Sequence, residues 1–208
     1  MLRQAAMNGM VPVIGITGGI STGKTTFCDC LRELTPATFF DADKAARQLA
    51  AHDPEVRELI EREFGPEVYS ASGDLNRALI RTIVFADAEK KRALEHILHP
   101  RIRRQWSTEA ERRRNSAKLF LADIPLLYET DGETLCDRVV VVACSASVQL
   151  ERLMARMSLN QPQAEQMIAA QMPLSEKIRR ADHVVWNNGN RAVLAAQAKL
   201  LVELWVQP

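Results

Sequence analysis

Gly18-Gly19-Ile20-Ser21-Thr22-Gly23-Lys24-Thr25 matches the spacing Gly-x-x-x-x-Gly-Lys-[Ser/Thr] of a phosphate-binding loop. Its flanks fit as well as its letters. The preceding run Val11-Pro12-Val13-Ile14-Gly15-Ile16-Thr17 is apolar and β-branched, which suits a strand buried on both faces. After it, Phe27, Leu31 and Leu34 recur at helical spacing and define one apolar face. Strand, glycine-rich turn and helix together form a cradle for a polyphosphate. Gly18, Gly19 and Gly23 let the backbone curve, the freed N–H groups and the helix N-terminus attract the anion, and Lys24 adds a mobile cation. The Thr25 hydroxyl is then placed to ligate Mg²⁺. These residues imply a nucleoside triphosphate ligand.

Further segments resemble parallel strands at about 37–41, 118–123, 138–144 and 183–187, each expected to be buried and separated from the next by helical patterns. The fold class is therefore α/β: a five-stranded parallel sheet between helical layers, with ligands at the carboxyl ends of the strands. Two stretches exceed a simple crossover. Residues 44–115 form a charged helical insertion, with apolar stripes at Leu75, Leu79, Ile80 and Ile83 and at Leu94, Ile97, Leu98 and Ile102 that suit a small core. Residues 146–181 carry arginines and are interrupted by Pro162 and Pro173, in keeping with a movable lid or a rigid helical hairpin. The last segment, 190–206, has Val193, Leu194, Leu200, Leu201 and Leu204 as the stripe of a closing amphipathic helix.

With 208 residues, 47% of them hydrophobic, the chain can bury a sizeable core. Its longest apolar runs, such as Val139 to Cys144, are too short to span a bilayer. Residues 1–10 lack the continuous apolar stretch of a signal peptide and are expected to be a flexible lead, or an upstream start with Met7 or Met10 as alternatives, before one phosphate-loop domain at 11–208, in the cytoplasm. A net charge of +1 and 5% aromatic residues argue against a nucleic-acid partner. Arg101, Arg103, Arg104, Arg112, Arg113 and Arg114 suit a solvated helix face or a local phosphate site. Cys28, Cys30, Cys136 and Cys144 include no Cys-x-x-Cys pair and are expected as small buried hydrophobes. The expected assembly is a monomer or weak homo-oligomer.

The second strand ends Phe39-Phe40-Asp41-Ala42-Asp43, and strand alternation would put Asp41 and Asp43 on one side. Transfer of a phosphoryl group to an alcohol needs a base that accepts the hydroxyl proton, and Asp43 fits that role. It equally fits a helix N-cap ahead of Lys44-Ala45-Ala46-Arg47. The third strand ends in Asp123, either a second anchor for Mg²⁺ or a turn-capping carboxylate. His96 and His99 stand at i, i+3 with no third metal ligand nearby, which favours a packed or capping role.

In order along the chain stand the loop, Asp41-Ala42-Asp43 with Arg47, Gly73-Asp74-Leu75-Asn76-Arg77, Phe85, Leu98-His99-Pro100 and Pro125-Leu126-Leu127-Tyr128-Glu129. Arg152 and Arg156, Ala169-Ala170-Gln171, Ala181-Asp182 and Asn187-Asn188-Gly189 follow. From about 11 to 205 the sequence resembles the dephospho-coenzyme A kinases. The resemblance implies ATP-dependent phosphorylation of the ribose 3′-hydroxyl of dephospho-coenzyme A, the last step of coenzyme A synthesis, with 44–115 as substrate-binding insertion and 146–181 as lid. It implies that Gly19, Ile20, Ser21, Thr22, Gly23, Lys24, Thr25 and Thr26 hold ATP, with the adenine near Asn187 and Gly189. Asp43, Arg47, His99, Pro125 and Leu126 would hold the acceptor, and Thr25 and Asp123 the Mg²⁺. Asp43 would take the proton, while Lys24, Arg152 and Arg156 would meet the transferring phosphoryl group, although the arginines also suit simple helix solubilisation. Ser21-Thr22 replaces a more usual Gly- or Ala-Ser, and Trp186 stands where an acidic residue often precedes Asn-x-Gly. Another nucleoside or nucleotide kinase is the nearest alternative. An NTP-driven switch is more distant, since no guanine-specific Asn-Lys-x-Asp stretch is present.

Overall fold

The computed structural model describes residues 12–113 and 118–206. The expected lead at 1–10, the first strand residue Val11 and Arg114 lie outside the described residues. β1 (Val13–Gly18) is buried throughout, as a central parallel strand with a neighbour on each side should be. α1 (Lys24–Leu34) follows the loop and β2 (Thr38–Asp41) follows α1. β3 (Phe120–Asp123), β4 (Arg138–Ala143) and β5 (His183–Trp186) complete a sheet of order β2-β3-β1-β4-β5. β1 runs parallel to β3 on one side and to β4 on the other, and β5 runs parallel to β4. The central strands carry the continuous apolar runs. β2 and β5 were expected to be buried, but they form the two sheet edges: β2 is half-buried along its length, with Arg32 4.5 Å over the Phe39 ring, and in β5 only Val185 is buried.

The chain separates into two compact units, residues 41–107 and the remainder. In the sheet-bearing unit, α6 (Ala146–Met157), α7 (Gln161–Ala169) and α8 (Leu174–Arg180) lie between β4 and β5, and α9 (Arg191–Val206) closes the chain. Pro162 and Pro173 start helices rather than break them: Pro162 lies in the first turn of α7 behind an Asn160–Gln163 capping box, and Pro173 is the N-cap of α8. One core joins Ile14 and Ile16 of β1, Phe27, Cys28, Cys30 and Leu31 of α1, and Leu194, Ala198 and Trp205 of α9. Cys28 and Cys30 are both buried although they leave α1 on different sides, since α1 is enclosed by sheet and α9 alike. The expected stripe of α9 is corrected in part: Leu194 is buried and Leu201 packs against the core, but Val193, Leu200 and Leu204 are exposed, and Ala198 and Trp205 face the core in their place. Small Ala198 permits close approach, so the helix settles with that face inward.

The other unit is helical. α2 (Ala42–His52), α3 (Pro54–Phe64), α4 (Arg77–Ala86) and α5 (Ala88–Arg113, whose last residues pass out of the unit) surround a second core of Leu49, Val56, Ile60, Phe64, Ile80 and Ile97. Leu75, Leu79, Ile83, Leu94, Leu98 and Ile102 pack against it, as their spacing predicts. Pro100 lies inside α5 without ending it, so His99 is a mid-helix residue and not a cap.

Candidate active site

β1 delivers the chain to Gly18 at the carboxyl edge of the sheet, and the turn to Lys24 uses two left-handed residues, Ser21 (φ 59°) and Gly23 (φ 92°). Glycine is required at position 23 twice over. Its φ disfavours side chains, and a Cβ there would lie 2.0 Å from Asn187 Nδ2. A Cβ on Gly18 would lie 2.5 Å from the Val142 carbonyl of β4. These glycines thus admit close approach of the protein's own segments, a constraint additional to the phosphate clearance expected from the motif. The first intrahelical bond of α1 runs from Phe27 N–H to Gly23 O at 3.1 Å, which leaves the N–H groups of Lys24, Thr25 and Thr26 without intrahelical acceptors. They form the positive end of the helix.

The first half of the loop is held by side chains. Gln171 Oε1 accepts the Ile20 N–H at 3.0 Å and Gln149 Nε2 donates to Ile20 O at 2.9 Å. Thr22, fully buried, donates through Oγ1 to Gly19 O at 2.9 Å, and its own carbonyl accepts from Asn187 Nδ2 at 2.9 Å. The buried Ser21 Oγ has no hydrogen-bond partner.

Lys24 Nζ pairs with Asp123 Oδ1 at the end of β3. Cys28 Sγ approaches the other Asp123 oxygen at 3.5 Å, and burial, reinforced by that carboxylate, pushes the Cys28 thiol far up. The thiol therefore stays protonated and acts as a weak donor. Asp123 is thus a strand-terminal carboxylate turned to the loop lysine, not a turn cap. Beyond it, Pro125 O accepts from Thr17 Oγ1 at 2.9 Å and from Lys177 Nζ at 3.0 Å, while Leu126 O accepts from Thr130 Oγ1 at 2.8 Å. Both residues hold the loop after β3 through their backbones.

Lys177, its partner Glu129, and the two glutamines on Ile20, Gln149 and Gln171, are given no chemical role in the sequence reading, although Glu129 and Gln171 stand in the motifs that carry the resemblance. Lys177 lies in the run Glu176-Lys177-Ile178-Arg179-Arg180, where nothing separates a buried lysine from exposed ones. Its side chain is fully buried, 2.9 Å from Glu129 Oε1. Burial lowers its affinity for the proton, Glu129 opposes that, and the nearby Lys24 charge adds to it.

Asn187, Gly189, Arg152 and Arg191 line a cavity of about 310 Å³ with Gly23, Thr26 and Leu194, beside the start of α1. Asn187 is fixed through its N–H to Ala143 O at 2.7 Å, and Asn188 Oδ1 takes the Ser145 N–H at 2.8 Å. Arg152 Nη1 donates to Asn187 O at 2.9 Å, so its guanidinium belongs to this cavity. Arg156 is exposed one turn further along α6. Trp186 remains 48% exposed at the end of β5.

In the helical unit, the chain turns helical at Ala42. Strand alternation therefore stops before Asp43, and Asp41 is the N-cap, accepting the Lys44 N–H at 2.8 Å. Asp43 lies in the first turn of α2 with Arg47 one turn later, both exposed and on one face. His99 is half-buried on α5, and burial shifts its imidazole toward the neutral form. The described residues contain no cluster of three or more metal-binding His, Cys, Asp or Glu side chains. The donor set nevertheless fits Mg²⁺, which keeps most of its water and takes one or two protein oxygens beside a substrate phosphate. The Asp123 carboxylate lies against Lys24, whose neighbour in sequence is Thr25; Asp123 and Thr25 are the residues that would hold the ion.

A family profile described as dephospho-CoA kinase matches residues 12–192. The dephospho-CoA kinase of Bacillus cereus is 37% identical over 197 residues, 94% of this chain and 98% of the relative. That of Symbiobacterium thermophilum is 42% identical over 188 residues, 90% and 78%. Among solved structures, Thermus thermophilus TT1252 is 34% identical with a TM-score of 0.72, covering 92% of this chain and 97% of that one. Aquifex aeolicus shikimate kinase, 13% identical with a TM-score of 0.53 over 91% and 95%, shares the fold. With the loop, the strand-terminal Asp123 and the flanking cavity held in one sheet-bearing unit, and with a family match across most of its length, the chain belongs to the dephospho-CoA kinase family.

Proposed function

We propose that this chain transfers the γ-phosphoryl group of ATP to the ribose 3′-hydroxyl of dephospho-coenzyme A, giving coenzyme A and ADP in the last step of coenzyme A synthesis. The observation that carries this reading is the family match over residues 12–192 together with an intact phosphate loop whose Lys24 faces the carboxylate ending β3. In the reaction a bond forms between the ribose oxygen and the γ-phosphorus, the bond to the β,γ-bridging oxygen breaks, and the hydroxyl proton passes to a base. Asp43 is that base. Ser21 to Thr26 hold the phosphates through backbone N–H groups, and Lys24 leaves Asp123 for the β- and γ-phosphates. Thr25 and Asp123 would hold Mg²⁺, which would supply neutralisation of charge on the phosphate oxygens.

Two observations support separate roles for the arginines. Arg152, bonded to Asn187 and beside Gly189, flanks the adenosine end of ATP. Arg156, exposed on the next turn of α6, is the cation for the transferring phosphoryl group. Arg47, His99, Pro125 and Leu126 position the acceptor, with His99 neutral. Residues 146–181 act as a lid and 44–115 as the acceptor-binding insertion. The proposed reaction takes place in the cytoplasm on small molecules; no helix among the described residues is long and apolar enough to cross a membrane.

Incubation with ATP, Mg²⁺ and a panel of alcohol acceptors tests the reading. Phosphate appears on dephospho-coenzyme A in preference to nucleosides and sugars. Release of inorganic phosphate regardless of acceptor overturns it in favour of an NTP-driven switch.

A further inference from the structure

Among the described residues Lys177 is the one buried cation, and all three of its donors are engaged. They reach Glu129 Oε1 at 2.9 Å, Pro125 O at 3.0 Å and Gly18 O at 3.3 Å. These acceptors lie on separate pieces of the site. Gly18 opens the phosphate loop, Pro125 follows two residues after Asp123, and Glu129 belongs to the turn beyond. The grip extends backward along the chain: Glu129 Oε1 also accepts the Met172 N–H at 3.0 Å, and the adjacent Gln171 takes the Ile20 N–H at 3.0 Å. From α6, Gln149 donates to Ile20 O. Residues 171–177 therefore hold the loop at Gly18 and Ile20, and hold the Asp123-bearing segment through Pro125. The neighbouring cations of α8 differ: Arg179 pairs with Glu176 within the helix and Arg180 with Glu133, both more exposed than Lys177.

A buried ammonium costs several kcal/mol of desolvation, and packing alone is served as well by an apolar side chain of similar volume. What an apolar side chain lacks is three directional bonds from one atom. We infer that Lys177 is a positioning residue for phosphoryl transfer: from the end of the lid segment it fixes the entry of the phosphate loop against the β3 carboxyl end. The N–H groups of Ser21 to Thr26 and the Lys24 ammonium then meet the polyphosphate in one preset geometry. This inference rests on the ATP-binding reading of the loop.

Lys177→Met keeps the stem and removes the ammonium, leaving the Gly18 and Pro125 carbonyls and the Glu129 carboxylate without it. Lys177→Met/Glu129→Gln removes the stranded charge as well, yet still leaves the Gly18 and Pro125 carbonyls without the ammonium that ties them together, Pro125 O keeping only its Thr17 bond. The measurements are the melting temperature, ATP affinity by calorimetry without acceptor, hydrogen exchange of peptides covering 18–24, and steady-state kcat and KM for each substrate. In the double variant we expect a melting temperature close to wild type, faster exchange in the loop and at least tenfold weaker ATP binding. KM for ATP rises while KM for dephospho-coenzyme A holds. A double variant with wild-type ATP affinity and loop exchange overturns the inference and leaves Lys177 as a structural ion pair. ATP affinity and loop exchange are read without acceptor, so they decide this point even if the wild-type protein fails to phosphorylate dephospho-coenzyme A, an outcome that would overturn the proposed reaction instead.

Discussion

Gly23→Ala probes the construction of the loop more sharply than removal of any charged residue. The backbone at this position has φ 92°, and the new methyl would lie 2.0 Å from Asn187 Nδ2 and 3.2 Å from its Cγ. Holding alanine in a left-handed conformation costs about 1–2 kcal/mol. The methyl also displaces the Asn187 amide, which is 8% exposed and donates to Thr22 O at 2.9 Å. Leaving that buried carbonyl unpaired costs about 1–3 kcal/mol. The total is about 3 kcal/mol, and at roughly 2–4 °C per kcal/mol for a chain of this size the melting temperature falls by about 9 °C. Because Gly23 and Asn187 both line the cavity beside α1, ATP affinity falls as well. The steric part vanishes once Asn187 is alanine. In an Asn187→Ala background, Gly23→Ala should cost only the conformational 1–2 kcal/mol, so the two substitutions are non-additive by about 1–2 kcal/mol in a thermal or denaturant cycle. Equal costs in both backgrounds would refute the reasoning, for the Asn187 contact would then play no part in the requirement for glycine.

Asp43→Asn lowers turnover by about a hundredfold or more while ATP still binds, since a positioned base contributes about that much; near-wild-type turnover would reassign Asp43 to the helix terminus. Ser21→Gly relieves a left-handed side chain and a buried hydroxyl without a partner, for a gain of about 1 kcal/mol read by chemical denaturation; a loss of stability would mean that the serine makes a compensating contact. Burial holds His99 and His183 below the ordinary imidazole value, so as pH falls the unfolded chain takes up protons before the native one. Their contribution is full above about pH 6.5 and is lost as pH drops through the folded values. Replacing both with Gln should flatten the melting temperature between about pH 7 and 5, and an unaltered slope would contradict the assignment.

Much of the fold was legible because two periodicities are strong here. Continuous β-branched runs at 13–17 and 139–142 report strands covered on both faces, and the stripes at 75–83 and 94–102 report the helical core. Where the pattern misled, position in the assembly was the cause. β2 has the composition of a buried strand but lies at the sheet edge, and α9 carries more leucine than its inward face can use. Asp41 and Asp43 were read with strand alternation, yet the helix begins between them, a boundary that two acidic residues flanking an alanine do not disclose.

The phosphate loop, the parallel sheet and the family were written in local order, since a turn of fixed spacing between strand and helix is specified by neighbours along the chain. The tertiary structure alone supplied Lys177, Gln149 and Gln171 as the grip on that loop, and Asn187 as the contact that excludes a side chain at Gly23. Their partners in the loop lie between 129 and 165 residues away in sequence, and polar side chains of these types are ordinarily solvated surface. Burial and long-range hydrogen bonding turn them into parts of the site, and neither property is encoded in a residue's immediate neighbours.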